Sequence, residues 1–226
     1  MQFARFISDE YYLIWDSDNI PVKPLNVFGE RPYFDMKKEY HAPYFETISK
    51  ILPGIHKAVK GSFISEHMLI KTEYMREMLD KIESNERLKG RDFQEKIINA
   101  INIEHLEGSG FSEFETFGNY VMICYPDSYA LRKWHSLRSK SFYEDISQID
   151  DEQIKWLSKS FDAITLEKWQ NVYPFASLCS IKLLRIFIKP MQLIFMIKIA
   201  IKIKRGLHFI ISPLRYFMRS GQDMPL

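Results

Sequence analysis

Apolar residues recur along this chain at both strand-like and helix-like spacings, which predicts an α/β fold. Short apolar runs without helical spacing predict strands at residues 11–15, 33–34, 62–64 and 67–70. Helix-like repeats predict helices at residues 1–8, 44–51, 93–101, from 72 onwards, from 112 onwards, and from 150 or 151 to about 163. The interleaving of strands and helices is typical of this class.

Side chains at two predicted helix starts have the chemistry of caps. Thr72 is expected to cap a helix whose apolar face carries Met75, Met78, Leu79 and Ile82. Ser112 and Glu115 have the spacing of a capping box, in which the glutamate reaches back to the first amide of the helix.

Charge is distributed unevenly along the 226 residues. Residues 181–226 carry nine Lys/Arg and one Asp, a net +8, whereas residues 1–180 carry 22 basic and 28 acidic residues, a net −6. We therefore expect residues 181–226 to be the part of the chain that binds an anionic partner.

The basic segment is also strongly apolar. Its basic residues form one helical stripe before Pro190 and one after it, namely Lys182, Arg185 and Lys189, then Lys198, Lys202 and Arg205. No uncharged window approaches the roughly 18 residues of a spanning helix. We expect residues 179–226 to form a helical amphipathic tail on an anionic membrane surface, appended to a folded domain at residues 1–178. The alternative is a helix packed on the domain, with its lysines in solvent.

Two carboxylates follow the first predicted strand. Asp16 and Asp18 come directly after the apolar run that we interpret as a buried strand. In open α/β sheets, ligands bind at the carboxyl ends of strands. Paired carboxylates there suit a hard divalent cation that also holds phosphate oxygens. This pattern predicts a metal site for a phosphorylated substrate, although a polar turn after a strand gives the same sequence.

A glycine-containing loop precedes the helix predicted from residue 112. Gly110 is expected to let a substrate approach closely, with Ser112 beside it. Glu113 lies in the first helical turn with no capping role, so it is a candidate to accept a proton from a hydroxyl. Glu115 is the second candidate for this catalytic role, alongside its capping role.

Aromatic and imidazole side chains supply further candidate substrate contacts. Tyr40, His41 and Tyr44 surround Pro43 in a loop, a composition suited to stacking on a sugar. His67 begins an apolar run, where a lone histidine is either a hydrogen-bonded core residue or, with a metal nearby, a substrate contact.

Four segments, taken in order, are similar to one known family. They are Tyr-Leu-Ile-Trp-Asp-Ser-Asp-Asn-Ile-Pro (12–21), Glu-Tyr-His-Ala-Pro-Tyr-Phe (39–45), Phe-Ile-Ser-Glu-His-Met-Leu-Ile (63–70) and Gly-Ser-Gly-Phe-Ser-Glu-Phe-Glu-Thr-Phe-Gly-Asn-Tyr (108–120). Together they resemble the bacterial GT-A-like glycosyltransferases catalogued as DUF6492, found among polysaccharide and lipopolysaccharide genes. The resemblance covers residues 1 to about 135.

This resemblance implies a GT-A-like mixed sheet and a metal-dependent glycosyltransferase. It implies a nucleotide-sugar donor, Mn²⁺ or Mg²⁺ held through Asp16 and Asp18, and a glycan or lipid-linked acceptor. Asp16 would also contact the donor, and Glu113 would be the base if the reaction inverts. The basic tail would keep the enzyme near lipid-linked glycan.

The chain departs from the GT-A pattern at its start. GT-A enzymes usually begin with a β-α-β unit that binds the nucleotide base, whereas only about ten residues precede the Asp16 strand here. We therefore expect an N-terminally truncated sheet, as in a fragment, a chain with a misassigned start, or a variant without most of its nucleotide pocket.

Two other functions remain open from the sequence. The chain could be an inactive remnant that only associates with a membrane or a partner. It could also be a haloacid-dehalogenase-type phosphatase with Asp16 as nucleophile, although Ile20 stands where Thr or Val is usual and no second metal motif is found.

The composition of the chain also indicates its cellular location and whether it binds nucleic acid. Cys124 and Cys179 are too few for a disulfide framework and lack metal-ligand spacing, so we expect reduced thiols. No secretory segment opens the chain, which predicts a cytoplasmic protein, peripheral on the inner face of the plasma membrane. Nucleic-acid binding is not expected, because the basic residues alternate with aliphatics and few aromatics are placed for base stacking.

Overall fold

The structure is a computed structural model that describes residues 1–138, 142–143, 147, 149–165 and 172–204. The chain divides into two compact units. The first comprises Met1–Asn19 and Leu25–His135, and the second comprises Ile20–Pro24 and Ser136–Leu226. The boundary expected after residue 178 therefore falls inside the second unit.

The described part of the chain contains both strands and helices, interleaved along the sequence. The strands are β1 (Tyr11–Trp15), β2 (Asn19–Pro21), β3 (Tyr33–Met36), β4 (His67–Lys71), β5 (Ala130–Lys133), β6 (Ser136–Arg138) and β7 (Ala163–Thr165). The α-helices are α1 (Ala42–Ile51), α2 (Thr72–Glu83), α3 (Phe93–Ala100), α4 (Glu113–Cys124), α5 (Asp151–Leu157), α6 (Lys182–Phe187) and α7 (190–204). Short 3-10 helices lie at Gln2–Arg5, Ile103–His105 and Ala176–Ser180. The predicted α/β class is confirmed.

The described strands form three small sheets. β1 and β4 pair antiparallel, with Trp15 opposite His67. β3 and β5 pair parallel, with Tyr33 opposite Ala130. The third sheet has the order β2-β7-β6. The four strands of the first two sheets belong to the first unit, where they position the candidate site.

The core of the first unit lies between its sheets and helices α1 to α4. Met75, Met78, Leu79 and Ile82 of α2 are buried, as their spacing predicts. Phe34 of β3 stacks on Tyr129 with ring centroids 3.8 Å apart. Burying an aliphatic or aromatic side chain of this size contributes about 1.5–3 kcal/mol.

The second unit has its own core, and α7 contributes to it. Leu193, Ile194, Ile197 and Ile201 are buried together with Trp156 and Leu157 of α5. The four residues of α7 follow one another at intervals of one, three and four residues, which places them on one side of the helix. Within the described part of the chain, none of the helices is long and apolar enough to cross a membrane.

Several local predictions need correction. β1 is only half-buried, and Leu13 is 41% exposed. Thr72 is the first residue of α2, and its hydroxyl donates to the Asp9 carbonyl, so Lys71 occupies the cap position without a side-chain bond. Residues 62–64 form no strand, and only Ser62 makes an isolated bridge, with Lys37. The helix at the start is a 3-10 turn.

The boundaries of two other helices bear on their predicted caps. Asp150 caps α5 in a capping box with Gln153, as one of the two predicted alternatives, but the helix ends at Leu157 instead of near residue 163. Ser112 caps α4 as expected, because its hydroxyl accepts the N–H of Glu115 at 3.3 Å.

Candidate functional site

Strand β1 ends in a tight turn that carries two acidic side chains, and we call Asp16, Ser17 and Asp18 the acidic turn. The N–H of Asn19 donates to the Asp16 carbonyl at 3.1 Å, and the Trp15 indole N–H donates to the Asn19 carbonyl at 2.7 Å. These hydrogen bonds close the turn from both sides. All three residues of the turn are exposed, so both carboxylates face solvent at the end of a strand.

Negative charge is in excess at the acidic turn. The pKa of Asp16 is raised above its ordinary value, chiefly by partial desolvation. The charges of Asp18, Glu113 and Glu66 raise this pKa further, and His67 opposes them. Because Asp16 keeps solvent contact, the free energy involved is modest. A cation bound at the turn would relieve this repulsion.

Glu66 holds the acidic turn from the neighbouring strand. Its carbonyl accepts the backbone N–H of Asp16 at 2.9 Å. Its carboxylate pairs with Lys37 and accepts the indole N–H of Trp134 at 3.2 Å. Its φ of 63° lies in the left-handed region, which costs a residue other than glycine about 1–3 kcal/mol and is frequent at functional sites. The strained backbone of Glu66 therefore directs its carbonyl to Asp16 and its carboxylate to Lys37 and Trp134.

A buried polar network lies behind the turn. Nδ1 of His67 lies 2.9 Å from the Ser65 carbonyl, and Nε2 lies 3.0 Å from Oδ2 of Asp35. Arg132 donates to both Asp35 oxygens at 2.6 Å. Both ring nitrogens of His67 are thus occupied by the protein, which corrects the expectation that His67 binds substrate. Its ring instead packs against Trp15, with centroids 5.0 Å apart, and supports the end of β1.

Asn19 is a buried polar residue directly after the acidic turn. It is 4% exposed, and among the described residues neither its side-chain nitrogen nor its side-chain oxygen has a hydrogen-bond partner. An unsatisfied buried polar group costs about 1–3 kcal/mol, so in a native protein it calls for an explanation such as backbone strain or a bound water or ion. Amide oxygens are among the ligands of hard divalent cations.

The loop before α1 contributes to a cleft of about 400 Å³. We call it the aromatic cleft, and it is lined by Glu39, Tyr40, His41, Tyr44, Ser62, Ile64, Ser109 and Glu115. The three predicted sugar-stacking residues thus line the same cleft.

Fixed contacts orient the side chains of the aromatic cleft. Nε2 of His41 lies 2.8 Å from the Ser109 carbonyl, and the ring meets Tyr44 edge-on at 4.5 Å. Tyr40 stacks on Phe45 and remains 67% exposed. The cleft therefore presents aromatic surface that is held in place and open to a ligand.

The two candidate catalytic glutamates differ in environment. Glu113 is the first residue of α4, is exposed, and contributes to the raised pKa of Asp16. Glu115 is 1% exposed and accepts hydrogen bonds from Ser62 Oγ at 2.6 Å and from Asn119 Nδ2 at 3.0 Å. Its carboxylate does not make the expected capping bond. Glu113 is therefore the more accessible of the two glutamates, but it lines a second cleft of about 360 Å³, whereas Glu115 lines the aromatic cleft.

The expected substrate contacts of Gly110 and Ser112 need correction. Gly110 is buried, and a Cβ there would lie 2.4 Å from Ile101 Cγ2 and 3.0 Å from the His105 carbonyl. Its lack of a side chain thus serves packing. Ser112 is 8% exposed, and its hydroxyl is used by the cap of α4. Ser109 is the residue of this loop that lines the cleft.

One short segment connects the acidic turn with the aromatic cleft. Ser62 and Ile64 line the cleft, and the Glu66 carbonyl binds Asp16. Lys37 bridges the same two features, because its ammonium pairs with Glu66 and lies 3.7 Å from Glu39 in the cleft wall. The turn and the cleft therefore belong to one neighbourhood of the first unit.

The acidic turn offers two carboxylates to a cation, so the remaining ligands of such a cation would have to be waters or substrate oxygens. No group of three or more His, Cys, Asp or Glu side chains with metal-binding geometry occurs in the described ranges. Mg²⁺ and similar ions are commonly held by one or two carboxylates, with waters and substrate phosphates completing the shell. The exposed carboxylates of Asp16 and Asp18 are donors of this kind.

Sequence reasoning missed the residues that support the site. Asn19 follows the acidic turn directly, so its position alone could have suggested it. Glu66 lies within one of the recognised segments, but nothing in the sequence indicates its left-handed backbone. Asp35 and Arg132 are 97 residues apart, and their pairing becomes visible only once β3 and β5 lie side by side.

Comparisons with known proteins find no match to this chain, whether among protein families, curated proteins or solved structures. The functional argument therefore depends on the residues and their geometry.

Proposed function

We propose that this chain is a metal-dependent glycosyltransferase that moves a sugar from a nucleotide-sugar donor to a glycan or lipid-linked acceptor. The observation that carries the proposal is the acidic turn, where two exposed carboxylates end a strand. Partial desolvation raises the pKa of Asp16 there, and the charges of Asp18, Glu113 and Glu66 raise it further. The four segments that resemble GT-A-like glycosyltransferases contribute this turn, the aromatic cleft and the start of α4.

On the donor side, Asp16 and Asp18 would hold Mn²⁺ or Mg²⁺. When bound, this ion supplies charge stabilisation for the diphosphate that departs from the sugar. The residues of the chain do the remaining work. Glu66 fixes the backbone of Asp16, and the turn is closed by Trp15, so the carboxylates are oriented before the donor arrives.

On the acceptor side, the aromatic cleft supplies the binding surface. Tyr40 and Tyr44 offer aromatic faces to a sugar ring, and the imidazole of His41 is held by Ser109. Glu113 is the candidate base for the acceptor hydroxyl. Its carboxylate is exposed to solvent in the first turn of α4.

Calorimetric titration of UDP-sugars and GDP-sugars, with and without Mn²⁺, tests the proposal. We expect one class of nucleotide-sugar to bind at least about tenfold more tightly with Mn²⁺, a change of about 1.4 kcal/mol. Asp18→Asn should abolish this metal-dependent gain. Asp127→Asn is the matched control, because Asp127 is fully exposed and contributes only a surface ion pair.

The other outcomes separate the rival functions. If no nucleotide-sugar binds in a metal-dependent way, the proposal fails and an inactive remnant is favoured. If incubation with a phosphate ester leaves a phospho-enzyme that Asp16→Asn removes, the chain is a phosphatase instead.

A further inference from the structure

The outer face of α7 is exposed and apolar, although the inner face of the same helix already packs in the core of the second unit. Phe195, Ile199 and Ile203 follow one another at intervals of four residues and are 63%, 41% and 57% exposed. Met196 lies beside them and is 54% exposed. A surface helix normally presents polar residues to water. An exposed apolar face on such a helix therefore indicates an interaction site.

Lysines flank this apolar face. Lys198 and Lys202, also four residues apart, form an exposed row next to Phe195 and Ile199, and Lys204 is exposed near the end of the described chain. Residues 181–204 contain no Asp or Glu. We call Phe195, Met196, Lys198, Ile199, Lys202 and Ile203 the outer face of α7.

The apolar surface continues onto the preceding segment. Leu183, Ile186 and Phe187 of α6 are 64%, 69% and 78% exposed. The basic stripe predicted there is only partly available, because Arg185 is buried and lies 3.8 Å from Asp150. The lysines of α7 are therefore the main source of positive charge for a partner.

We propose that the outer face of α7 docks on an anionic lipid surface. Large apolar side chains beside a row of lysines are typical of helices that lie in a membrane interface, with the apolar groups among the acyl chains and the ammonium groups at the headgroups. Charge argues against a second copy as the occupant, because pairing two such faces would bring the same lysines together. This inference does not depend on the transfer reaction.

Vesicle sedimentation with the full chain tests the proposal. We expect the protein to bind vesicles of phosphatidylcholine mixed with phosphatidylglycerol, and to bind vesicles of phosphatidylcholine alone much more weakly. Salt should weaken binding, because it screens the attraction between lysines and headgroups. The double variant Lys198→Glu, Lys202→Glu should reduce partitioning at least about fivefold for each lysine. Lys60→Glu with Lys89→Glu changes the net charge equally at exposed sites of the first unit and should have little effect.

A second pair of variants tests the apolar contribution. Phe195→Ser with Ile199→Ser should reduce binding about tenfold or more, while thermal melting stays unchanged because both side chains are already exposed. Ile103→Ser with Leu106→Ser is the matched control, since these side chains are 86% and 48% exposed in the first unit.

Three results would overturn the proposal. The first is that the wild-type protein binds both kinds of vesicle equally poorly. The second is that the variants of the outer face bind anionic vesicles as well as the matched control variants of the first unit. The third result is self-association of the wild-type chain in sedimentation velocity, combined with no binding of the wild-type chain to vesicles. If the Phe195→Ser, Ile199→Ser variant loses this self-association, the occupant of the outer face is a second copy of the chain.

Discussion

The backbone N–H of Asp16 donates a 2.9 Å hydrogen bond to the carbonyl of Glu66, whose φ is 63°. An aspartate at the end of one strand is thus anchored by a strained residue at the start of its antiparallel neighbour. Since the bond uses only main-chain atoms, the charge of Asp16 can be removed by substitution while its anchor is kept.

Asp16→Asn should stabilise the protein at about pH 7. Desolvation and neighbouring acids raise the folded-state pKa of Asp16, so its ionised form opposes folding once the pH exceeds that value. We expect a gain of up to about 0.5 kcal/mol, because Asp16 is exposed and its repulsion is screened. The gain should disappear below about pH 4, where the carboxyl is protonated in both states. Urea unfolding at both pH values measures this, and an equal gain at low pH would contradict the charge argument.

Asn19→Ala should separate ligand binding from stability. The Asn19 side chain is buried without a partner among the described residues, so its removal should leave stability unchanged or raise it by about 1 kcal/mol. If the amide completes the cation site, Mn²⁺-dependent nucleotide binding should weaken about tenfold. Calorimetry and urea unfolding give the two readouts. A loss of stability with normal binding would show that Asn19 is only structural.

Asp35→Ala should be strongly destabilising. Asp35 accepts hydrogen bonds from Arg132 and from the buried His67. Its loss removes this acceptor from both, although Arg132 keeps its hydrogen bond to the Asn26 carbonyl. We expect a cost of about 3 kcal/mol, at the lower end for a broken buried pair because Arg132 is partly exposed. Asp80→Ala breaks an exposed ion pair with Arg5 and should cost less than about 1 kcal/mol.

The same network predicts loss of stability in acid. Burial alone would raise the pKa of Asp35, but hydrogen bonds from Arg132 and His67 outweigh it and lower the pKa. A carboxyl with a lowered folded-state pKa contributes stability above its unfolded pKa, and this contribution is lost as the pH falls through the folded value. The stability gap between wild type and Asp35→Ala should therefore narrow below about pH 4. A constant gap down to about pH 2 would argue against the ionised Asp35 as its source.

Glutamine substitutions should distinguish the two glutamates at the start of α4. Glu113→Gln should lower transfer about 100-fold and change stability by less than about 0.5 kcal/mol, because the side chain is exposed. Glu115→Gln should destabilise by about 1–3 kcal/mol, since an amide would turn a donor towards Ser62 or Asn119. Turnover and thermal melting of both variants are needed. The assignment reverses if Glu115→Gln abolishes transfer at wild-type stability.

Gly110→Ala should destabilise the first unit by about 1–3 kcal/mol, because the new Cβ meets Ile101 and the His105 carbonyl. Gly108→Ala is the control in the same loop, where the nearest atom to a new Cβ is the His105 carbonyl at 4.0 Å. Thermal melting compares the two. Equal melting temperatures would mean that the loop yields easily and that packing does not require Gly110.

Local patterns predicted much of the fold, because they depend on neighbours in sequence. The buried residues of α2 and the cap of α4 follow from spacing and from Ser112. The extent to which β1 is buried could not be predicted from its local sequence. Its residues are apolar enough for a buried strand, but their burial depends on what packs on each side, and in the described structure β1 pairs only with β4.

The site was predictable to a similar extent. Asp16 and Asp18 emerge at a strand end, as the sequence indicated. The sequence left His67 open between a hydrogen-bonded core residue and a substrate contact, because its partner Asp35 is 32 residues away and belongs to another sheet. Helical stripes in the tail were visible, yet Arg185 is buried near Asp150. Periodicity shows which residues share a face, but it does not show which face meets the core.

The chain enters the second unit twice, first for the five residues Ile20–Pro24 and again from Ser136. The Val22 side chain is part of that unit's core, and its N–H donates to the Asp162 carbonyl at 2.9 Å. The second unit is thus a discontinuous domain, and a recombinant piece that begins at residue 136 would lack one of its strands. Joining residues 20–24 to residue 136 through a designed linker, which replaces the intervening segment, is the rational route to producing it alone.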